Sequence, residues 1–183
     1  MSDMMTPDTV IGFWFEEITP AQHWKVDPDF DAQIRDRFAE LHAQANRCEL
    51  FEWRRTPRGR LAEIIVLDQF SRNMFRGQAR SFASDPLALA LAQEAVATGA
   101  DESLSVDERG FLYMPYMHSE SARIHAFAEP LFNARTSENT HGFALRHKAI
   151  IDRFGRYPHR NAILGRESTE QELAFLEQPG SGF

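Results

Sequence analysis

The chain has 183 residues, of which 43% are hydrophobic, and its 15 Phe and 3 Trp supply a substantial core for one domain. A formal net charge of -7 argues against general binding to nucleic acid or to anionic membranes, so we expect neither as a partner. Because Cys48 is the only cysteine, an intramolecular disulfide and a multi-cysteine metal site are excluded.

The N-terminal segment predicts a cytoplasmic protein. Residues 1–15 lack a basic segment followed by a long apolar stretch, so we expect no secretory signal. The apolar run at residues 64–67 is far shorter than the roughly 20 residues that span a bilayer. The first helix is predicted to begin at Thr6-Pro7, because proline suits the first helical position.

Two longer helices are predicted next. One begins at Asp27-Pro28, where apolar side chains recur at three- and four-residue spacing, as on a helix that packs one face inward. A turn at residues 56–59 leads into residues 61–75, which are apolar nearly all round. This second helix is therefore expected to be central and to end at Arg76-Gly77.

Further helices follow in the middle of the chain. One is predicted from residues 84–86 to Gly99, a residue suited to a left-handed helix cap. Ser105 and Glu108 fit a capping box for a short helix that reaches Met114. These two predicted helices, with those on either side, indicate helical structure throughout the middle of the chain.

Prolines are expected to shape the helices that come next. Pro115 should break or restart the preceding short helix, giving a helix that runs through His118 and His125. Pro130 should kink or end that helix, because its ring clashes with the carbonyl four residues back.

The C-terminal third is predicted as two helices around an irregular segment. A helix over residues 140–154 precedes irregular residues 156–165, and a last helix is capped by Ser168 or Thr169. No stretch shows sustained period-two alternation with β-branched residues. We therefore predict an all-α fold of about eight helices, in a single domain over residues 1–178 with a flexible tail over 179–183.

The end of the predicted central helix carries a polar cluster. Asp68 and Arg72 are four residues apart, as are Gln69 and Asn73, so each pair shares a helix face. Arg76 follows one turn later. Burying such groups is costly unless they are paired and hydrogen-bonded. The cluster is therefore either a satisfied internal network or the lining of a ligand site.

A second cluster is rich in arginine. Segment 153–166 holds four arginines and one histidine without an acidic residue, and it weakly repeats the Arg-Asn pattern of residues 71–77. Arginine presents a planar fork that matches carboxylate or phosphate, and cations in an acidic protein attract anions. The candidate ligand-binding residues here are Arg156, Arg160, Asn161 and Arg166.

Three histidines and one carboxylate are candidates for proton transfer or binding. His118 and Glu120 follow the proline break and can act as an acid/base pair if they are close. His159 lies in the arginine-rich segment, and His147 lies in the helix that leads to it. The alternative is that these histidines cap helices or bond to backbone carbonyls.

Familiar cofactor and catalytic motifs are missing. The sequence has no His-Glu-x-x-His, and His118 and His125 are seven residues apart, so no metal is expected. It has no Gly-x-Gly-x-x-Gly, no P-loop and no serine in a nucleophile elbow. We therefore expect no cofactor, and the sequence does not decide whether the protein is an enzyme.

Several of these segments resemble a known family. They are residues 13–15, the Leu-Asp-Gln-Phe-x-Arg-Asn run at 67–73, residues 75–77, His118-Ser119-Glu120, the run 153–161 and Leu164-Gly165-Arg166. Together they resemble the mainly bacterial family called domain of unknown function 924, over about residues 10–176. Tyr157 stands where that family usually has Phe, and Pro130 lies in a helix that is usually uninterrupted.

The resemblance implies a fold similar to tetratricopeptide repeats, with antiparallel helix pairs stacked into a superhelix. The sequence itself has no period of about 34 residues and lacks the repeat consensus. The resemblance brings no established activity and no catalytic residues.

Three hypotheses remain open. In the first, both clusters and the histidines line a concave site for a small anionic ligand that carries phosphate or carboxylate. In the second, a tetratricopeptide-like scaffold binds an acidic peptide through the same arginines. In the third, the polar motifs only hold helices together. The aromatic-rich helices also make a homodimer a candidate assembly.

Overall fold

The structure is a computed structural model that describes residues 5–183; residues 1–4 of the predicted domain 1–178 lie outside the described residues. Over residues 5–183 the chain forms helices and turns without a β-strand, which confirms the all-α prediction. The α-helices are α1 (Pro7–Gly12), α2 (Pro28–Asn46), α3 (Pro57–Leu67), α4 (Gln69–Met74), α5 (Asp85–Ala97), α6 (Val106–His118), α7 (Ala122–Arg135), α8 (Glu138–Phe154) and α9 (Glu170–Leu176).

Side-chain caps set the helix starts that the sequence predicts. Asp27 accepts hydrogen bonds from the backbone N–H groups of Asp29 and Phe30, at 3.1 and 3.3 Å. Ser105 and Glu108 form the predicted capping box, in which each side chain accepts from the other's backbone N–H at 3.2 and 3.0 Å. Thr169 caps α9. Each cap satisfies N–H groups that have no partner within the helix.

Helix α3 is the centre of the molecule, as predicted. Residues 61–67 are fully buried, and α3 packs against α1, α2, α5 and α6. Phe13 and Trp14, in the π-helical turn that extends α1, pack against Phe70. Successive helices also pack in pairs, α5 with α6, α6 with α7 and α7 with α8.

The central helix is interrupted at Asp68, where a continuous helix over residues 61–75 is predicted. Helix α3 begins earlier, at Pro57, and α4 begins directly after Asp68, whose ψ of -66° departs from the helical value. When α3 and α4 are taken as one interrupted helix, the described residues contain the expected eight. The interruption lies where the fully buried Asp68 carboxylate takes its hydrogen bonds from other side chains.

The prediction of one helix through His118 and His125 is wrong. Helix α6 continues through Pro115 and ends at His118, and Ser121 then caps a new helix, α7. Because Ser119 has extended backbone (φ -64°, ψ 141°), the chain turns between the two histidines.

Pro130 also fails to end its helix, since α7 runs to Arg135. Proline removes one donor, which leaves the carbonyl of Ala126 without its helical partner. Ala126 and Pro130 are both exposed, so water can bond to that carbonyl and the helix continues.

Candidate functional site

A cavity of about 340 Å³ opens where α4, the end of α6, α8 and residues 158–163 meet. It gathers most of the residues that the sequence singles out. Those that line it are Gln69, Arg72, Asn73, Arg76, His118, His147, His159 and Arg160. The first polar cluster and part of the second therefore share one site, although they lie about 90 residues apart in the chain.

His118, the last residue of α6, is hydrogen-bonded to Asp68 at the interruption between α3 and α4. The distance from His118 Nδ1 to Asp68 Oδ1 is 2.7 Å. Asp68 is fully buried, and its other contacts are Gln69 Nε2 at 3.0 Å and Arg72 Nη1 at 3.3 Å. Burial raises the pKa of the Asp68 carboxyl, but His118 and Arg72 outweigh it, so that this pKa lies below its ordinary value. Asp68 is thus an ionised carboxylate.

His118 itself is neutral near pH 7. Burial lowers its pKa and Arg72 lowers it further, although Asp68 opposes both. Because Asp68 can only accept, the proton of the neutral ring belongs on Nδ1. Nε2 is then an unprotonated nitrogen, and it has no hydrogen-bond partner among residues 5–183.

Arg72 and Arg160 differ in how well they are paired. Arg72 forms a bidentate pair with Asp85, at 2.8 and 3.0 Å. Arg160 donates from Nη2 to the His118 carbonyl at 2.9 Å, but its Nη1 is 3.8 Å from Asp85. Its Nε is buried and has no partner within the described chain. Burial and the nearby Arg72 both lower the pKa of Arg160. The Arg160 guanidinium therefore has a carboxylate at ion-pair distance but none at hydrogen-bond distance in the described chain.

His147 and His159 are two further neutral histidines of the cavity wall. Burial lowers the pKa of His147 to about 3, and its Nδ1 donates to the Phe143 carbonyl at 2.8 Å. Burial lowers the pKa of His159 to about 4, and its buried Nδ1 has no partner in the described part of the chain. Neither ring carries a carboxylate partner, in contrast to His118.

One carboxylate holds two side chains at the cavity rim beside α4. Asp31, on α2, accepts from Asn73 Nδ2 at 2.8 Å and from Arg76 Nε at 2.7 Å. Arg76 is more exposed than Arg72, so it lies at the opening rather than in the depth of the cavity.

Apolar side chains cover much of the remaining wall. They are Trp24, Phe82, Met114, Met117, Phe143, Ile163 and Phe183. The Phe183 ring lies 3.7 Å from the His147 ring and 4.6 Å from the His159 ring, measured between centroids. The predicted tail thus lies against the cavity, and its flexibility stays a prediction.

Five predicted site residues lie outside the cavity lining: Asp68, which is bonded to His118, and Glu120, Arg156, Asn161 and Arg166. Arg166 forms a bidentate pair with Glu120 at 2.8 and 2.9 Å, and Arg156 pairs with Glu172. Asn161 bonds to Glu172 and accepts from Arg166. These pairs hold the segment 156–166 against the rest of the molecule.

The pairing of His118 with Glu120 is therefore corrected. Glu120 follows the turn after α6 and faces Arg166, so the carboxylate partner of His118 is Asp68, 50 residues earlier in the chain.

Sequence reasoning missed Asp85, Asp31 and the two methionines of the cavity. Asp85 was expected only as part of a helix start, and nothing local signals that it pairs with Arg72, 13 residues away. Met114 and Met117 are three residues apart on α6, the spacing of a shared helix face, but core methionines show the same spacing. Over residues 5–183, no group of three or more metal-ligating side chains occurs.

Comparison with known proteins gives the family. The model of the family described as "Bacterial protein of unknown function (DUF924)" matches residues 10–180. The chain belongs to this family. A solved structure titled "Structure of Protein of Unknown Function ATU0120 from Agrobacterium tumefaciens" is 38% identical. The match covers 93% of this chain and 96% of that chain, with a TM-score of 0.89.

The search of curated proteins finds no match to this DUF924 chain. None of the helices described for residues 5–183 has the length and hydropathy required to cross a bilayer. The likeness of the fold to tetratricopeptide repeats stays a prediction, as do a cytoplasmic location and a homodimer.

Proposed function

We propose that this DUF924 protein binds a small anionic ligand, with a carboxylate or phosphate group, in the cavity between α4, α6, α8 and residues 158–163. The observation that carries the proposal is the state of Arg160. Arg160 is 5% exposed, and its Nε has no partner in the described chain. Its nearest carboxylate, that of Asp85, is shared with Arg72. Buried polar groups in proteins are nearly always paired, so a ligand oxygen is the natural partner.

The other cavity arginines support this assignment by contrast. Arg72 has the bidentate Asp85 and Arg76 has Asp31, so a carboxylate of the protein already matches each of these two charges. An anion that binds Arg160 gains a charge-assisted hydrogen bond without displacing an existing pair. The neutral His118, His147 and His159 add no competing charge.

The size and walls of the cavity favour a small molecule over an acidic peptide. Its volume of about 340 Å³ is in the usual range for small-molecule sites, roughly 300–1,000 Å³. The apolar side of the wall, with Met114, Met117 and Phe143, suits a ligand whose anionic group is joined to an apolar body.

A thermal-shift screen followed by calorimetry tests the proposal. Linear dicarboxylates, monocarboxylates and inorganic phosphate are compared on the wild type and on Arg160→Gln. An anion at about 100 times its Kd stabilises by about 2.7 kcal/mol, which raises the Tm by several degrees for a domain of this size. We expect such a shift in the wild type and its loss in Arg160→Gln.

Arg156→Gln is the matched control, because Arg156 pairs with Glu172 away from the cavity. It should keep the ligand-induced shift. If no anion shifts the wild type, or if Arg160→Gln keeps the full shift, the cavity is not an anion site at Arg160.

A further inference from the structure

The Asp68–His118 pair has the geometry of an oriented general base. Asp68 is fully buried and ionised, and it holds His118 through Nδ1 at 2.7 Å. This hydrogen bond fixes the tautomer in which Nε2 is free to accept a proton. Gln69 and Arg72 in turn hold the Asp68 carboxylate, at 3.0 and 3.3 Å. The Asp68 carboxylate, held in this way, orients the ring of His118, which lines the cavity.

No nucleophilic side chain is paired with this base. Among residues 5–183, no serine, threonine or cysteine side chain is hydrogen-bonded to His118. The proton that Nε2 accepts therefore comes from water or from the ligand. His147 and His159 are not carboxylate-paired, so one imidazole has to serve both as the acceptor and as the later donor of the proton. Hydrolysis needs only one such group.

We propose that the cavity hydrolyses esters that carry a carboxylate on an apolar chain, with water as the nucleophile and His118 as the general base. This proposal rests on the anion site at Arg160 proposed above. Arg160 binds the carboxylate of the ester, and the wall with Met114 and Met117 holds its chain. Asp68 is a positioning residue that keeps the His118 ring in its reactive tautomer.

The proton and electron pairs balance within the site. The water oxygen bonds to the acyl carbon as its proton passes to His118 Nε2, and the C=O π pair moves onto the carbonyl oxygen. The C=O bond then re-forms, the bond to the leaving oxygen breaks, and the imidazolium gives its proton to that oxygen. The products are a carboxylic acid, which ionises, and an alcohol.

The test uses two chromogenic esters of equal chain length. Mono(4-nitrophenyl) adipate carries the carboxylate, and 4-nitrophenyl hexanoate lacks it. The wild type should prefer the adipate ester by at least about 10-fold in kcat/KM, and Arg160→Gln should lose this preference. His118→Asn keeps a donor toward Asp68 but removes Nε2, and it should lower kcat by about 100-fold or more.

Adipate itself, which cannot be hydrolysed, separates this proposal from the anion site. Calorimetry should show that His118→Asn still binds adipate, which also reports that the variant is folded. His141→Asn is the control for loss of a histidine, because His141 pairs with Glu129 and does not line the cavity. Adipate binding without ester turnover above the His118→Asn level overturns the hydrolysis proposal alone. Absence of adipate binding together with absence of turnover overturns both.

The pH profile tests the positioning role of Asp68. The charged or titratable groups that influence His118 are Asp68, Arg72, Asp85, His125, His147, His159 and Arg160. Since burial lowers the pKa of His118, kcat should be constant near pH 7 and should fall only below about pH 6.5. In Asp68→Asn the supporting negative charge is gone, so the acid limb should move to lower pH while kcat falls at least 10-fold. An unmoved acid limb contradicts this role.

Discussion

Arg160 and Arg166 are six residues apart in the chain, but within residues 5–183 only Arg166 has a bidentate carboxylate partner. Arg166 forms two hydrogen bonds to Glu120, so its charge is matched by one partly buried carboxylate. Arg160 packs against the rings of Phe82 and Tyr157, and its Nε is unpaired. An arginine of the first kind stabilises the fold, whereas one of the second kind is available to a ligand.

This contrast gives a stability prediction at single residues. Arg166→Met should lower the free energy of unfolding by about 2–3 kcal/mol, because it leaves the Glu120 charge without its partner. Arg160→Met should lower it by only about 1 kcal/mol, because the His118 carbonyl loses its donor but a methionine still packs between the two rings and repulsion from Arg72 is removed. Urea unfolding of both variants without ligand measures the difference. An equal loss in the two would make Arg160 a structural residue.

The sequence could predict the residue types of the site but not their partners. Spacing alone puts Arg72 and Asp68 on one helix face, and the structure has that contact. The bond between Asp68 and His118 joins residues 50 positions apart, and it depends on how α6 packs against α3. Local patterns carry no information about such packing, which is why the sequence offers Glu120, two residues from His118, as a partner only if the two lie close.

Helix boundaries could be predicted better than the contacts of the site, because they depend on residues that are neighbours in the chain. Thr6, Asp27, Ser105 and Thr169 cap helices as predicted, since a cap needs only a side-chain oxygen and N–H groups within three residues. The interruption at Asp68 and the continuous α6 through Pro115 were not predictable. The interruption coincides with the hydrogen bond between Asp68 and His118, a contact between distant parts of the chain.

Helix α3 also contains a glycine that packing requires. Gly59 lies in its first turn, where an added Cβ would overlap the Trp53 carbonyl oxygen. The Gly59 N–H bonds to Thr56 Oγ1 at 3.0 Å, so the close approach is part of the helix cap. The turn from Trp53 into α3 therefore leaves no room for a side chain.

Two glycine substitutions should consequently have opposite effects. Gly59→Ala should lower the free energy of unfolding by about 2–3 kcal/mol, because the backbone of residue 53 or of α3 must shift. Gly142→Ala, inside α8 with no atom within 4 Å of the added Cβ, should raise it by about 0.5–1 kcal/mol through helix propensity. Thermal unfolding followed by circular dichroism compares them. A neutral Gly59→Ala would contradict the packing at the start of α3.

At the scale of the whole molecule, buried neutral histidines make stability depend on pH. Burial lowers the pKa of His42 and of His159 to about 4 and that of His147 to about 3, whereas an unfolded chain has histidines near 6.5. The unfolded state therefore binds more protons between pH 6.5 and 4. Folding stability is complete above about pH 6.5 and is lost as the pH falls below it.

The size of this loss of folding stability follows from the number of buried histidine rings. Each histidine costs up to about 1.4 kcal/mol per pH unit in this window, so the three together cost up to about 4 kcal/mol between pH 5.5 and 4.5. Urea unfolding at pH 7.0, 5.5 and 4.5 measures the loss. His42→Gln, which lies outside the cavity, should reduce it by about one third. Stability that stays constant from pH 7.0 to 4.5 would mean that these rings titrate normally.

The apolar side of the cavity has an optical consequence. Trp24 lines the cavity and is 64% exposed, whereas Trp14 is fully buried in the core. Indole emission responds to the polarity around the ring, so a molecule that enters the cavity displaces water from Trp24 and leaves unchanged Trp14 and Trp53, which do not line the cavity. Emission should then shift on binding in the wild type and stay constant in Trp24→Phe. The protein thus contains its own fluorescent reporter, and occupancy of the cavity can be followed in solution without a label.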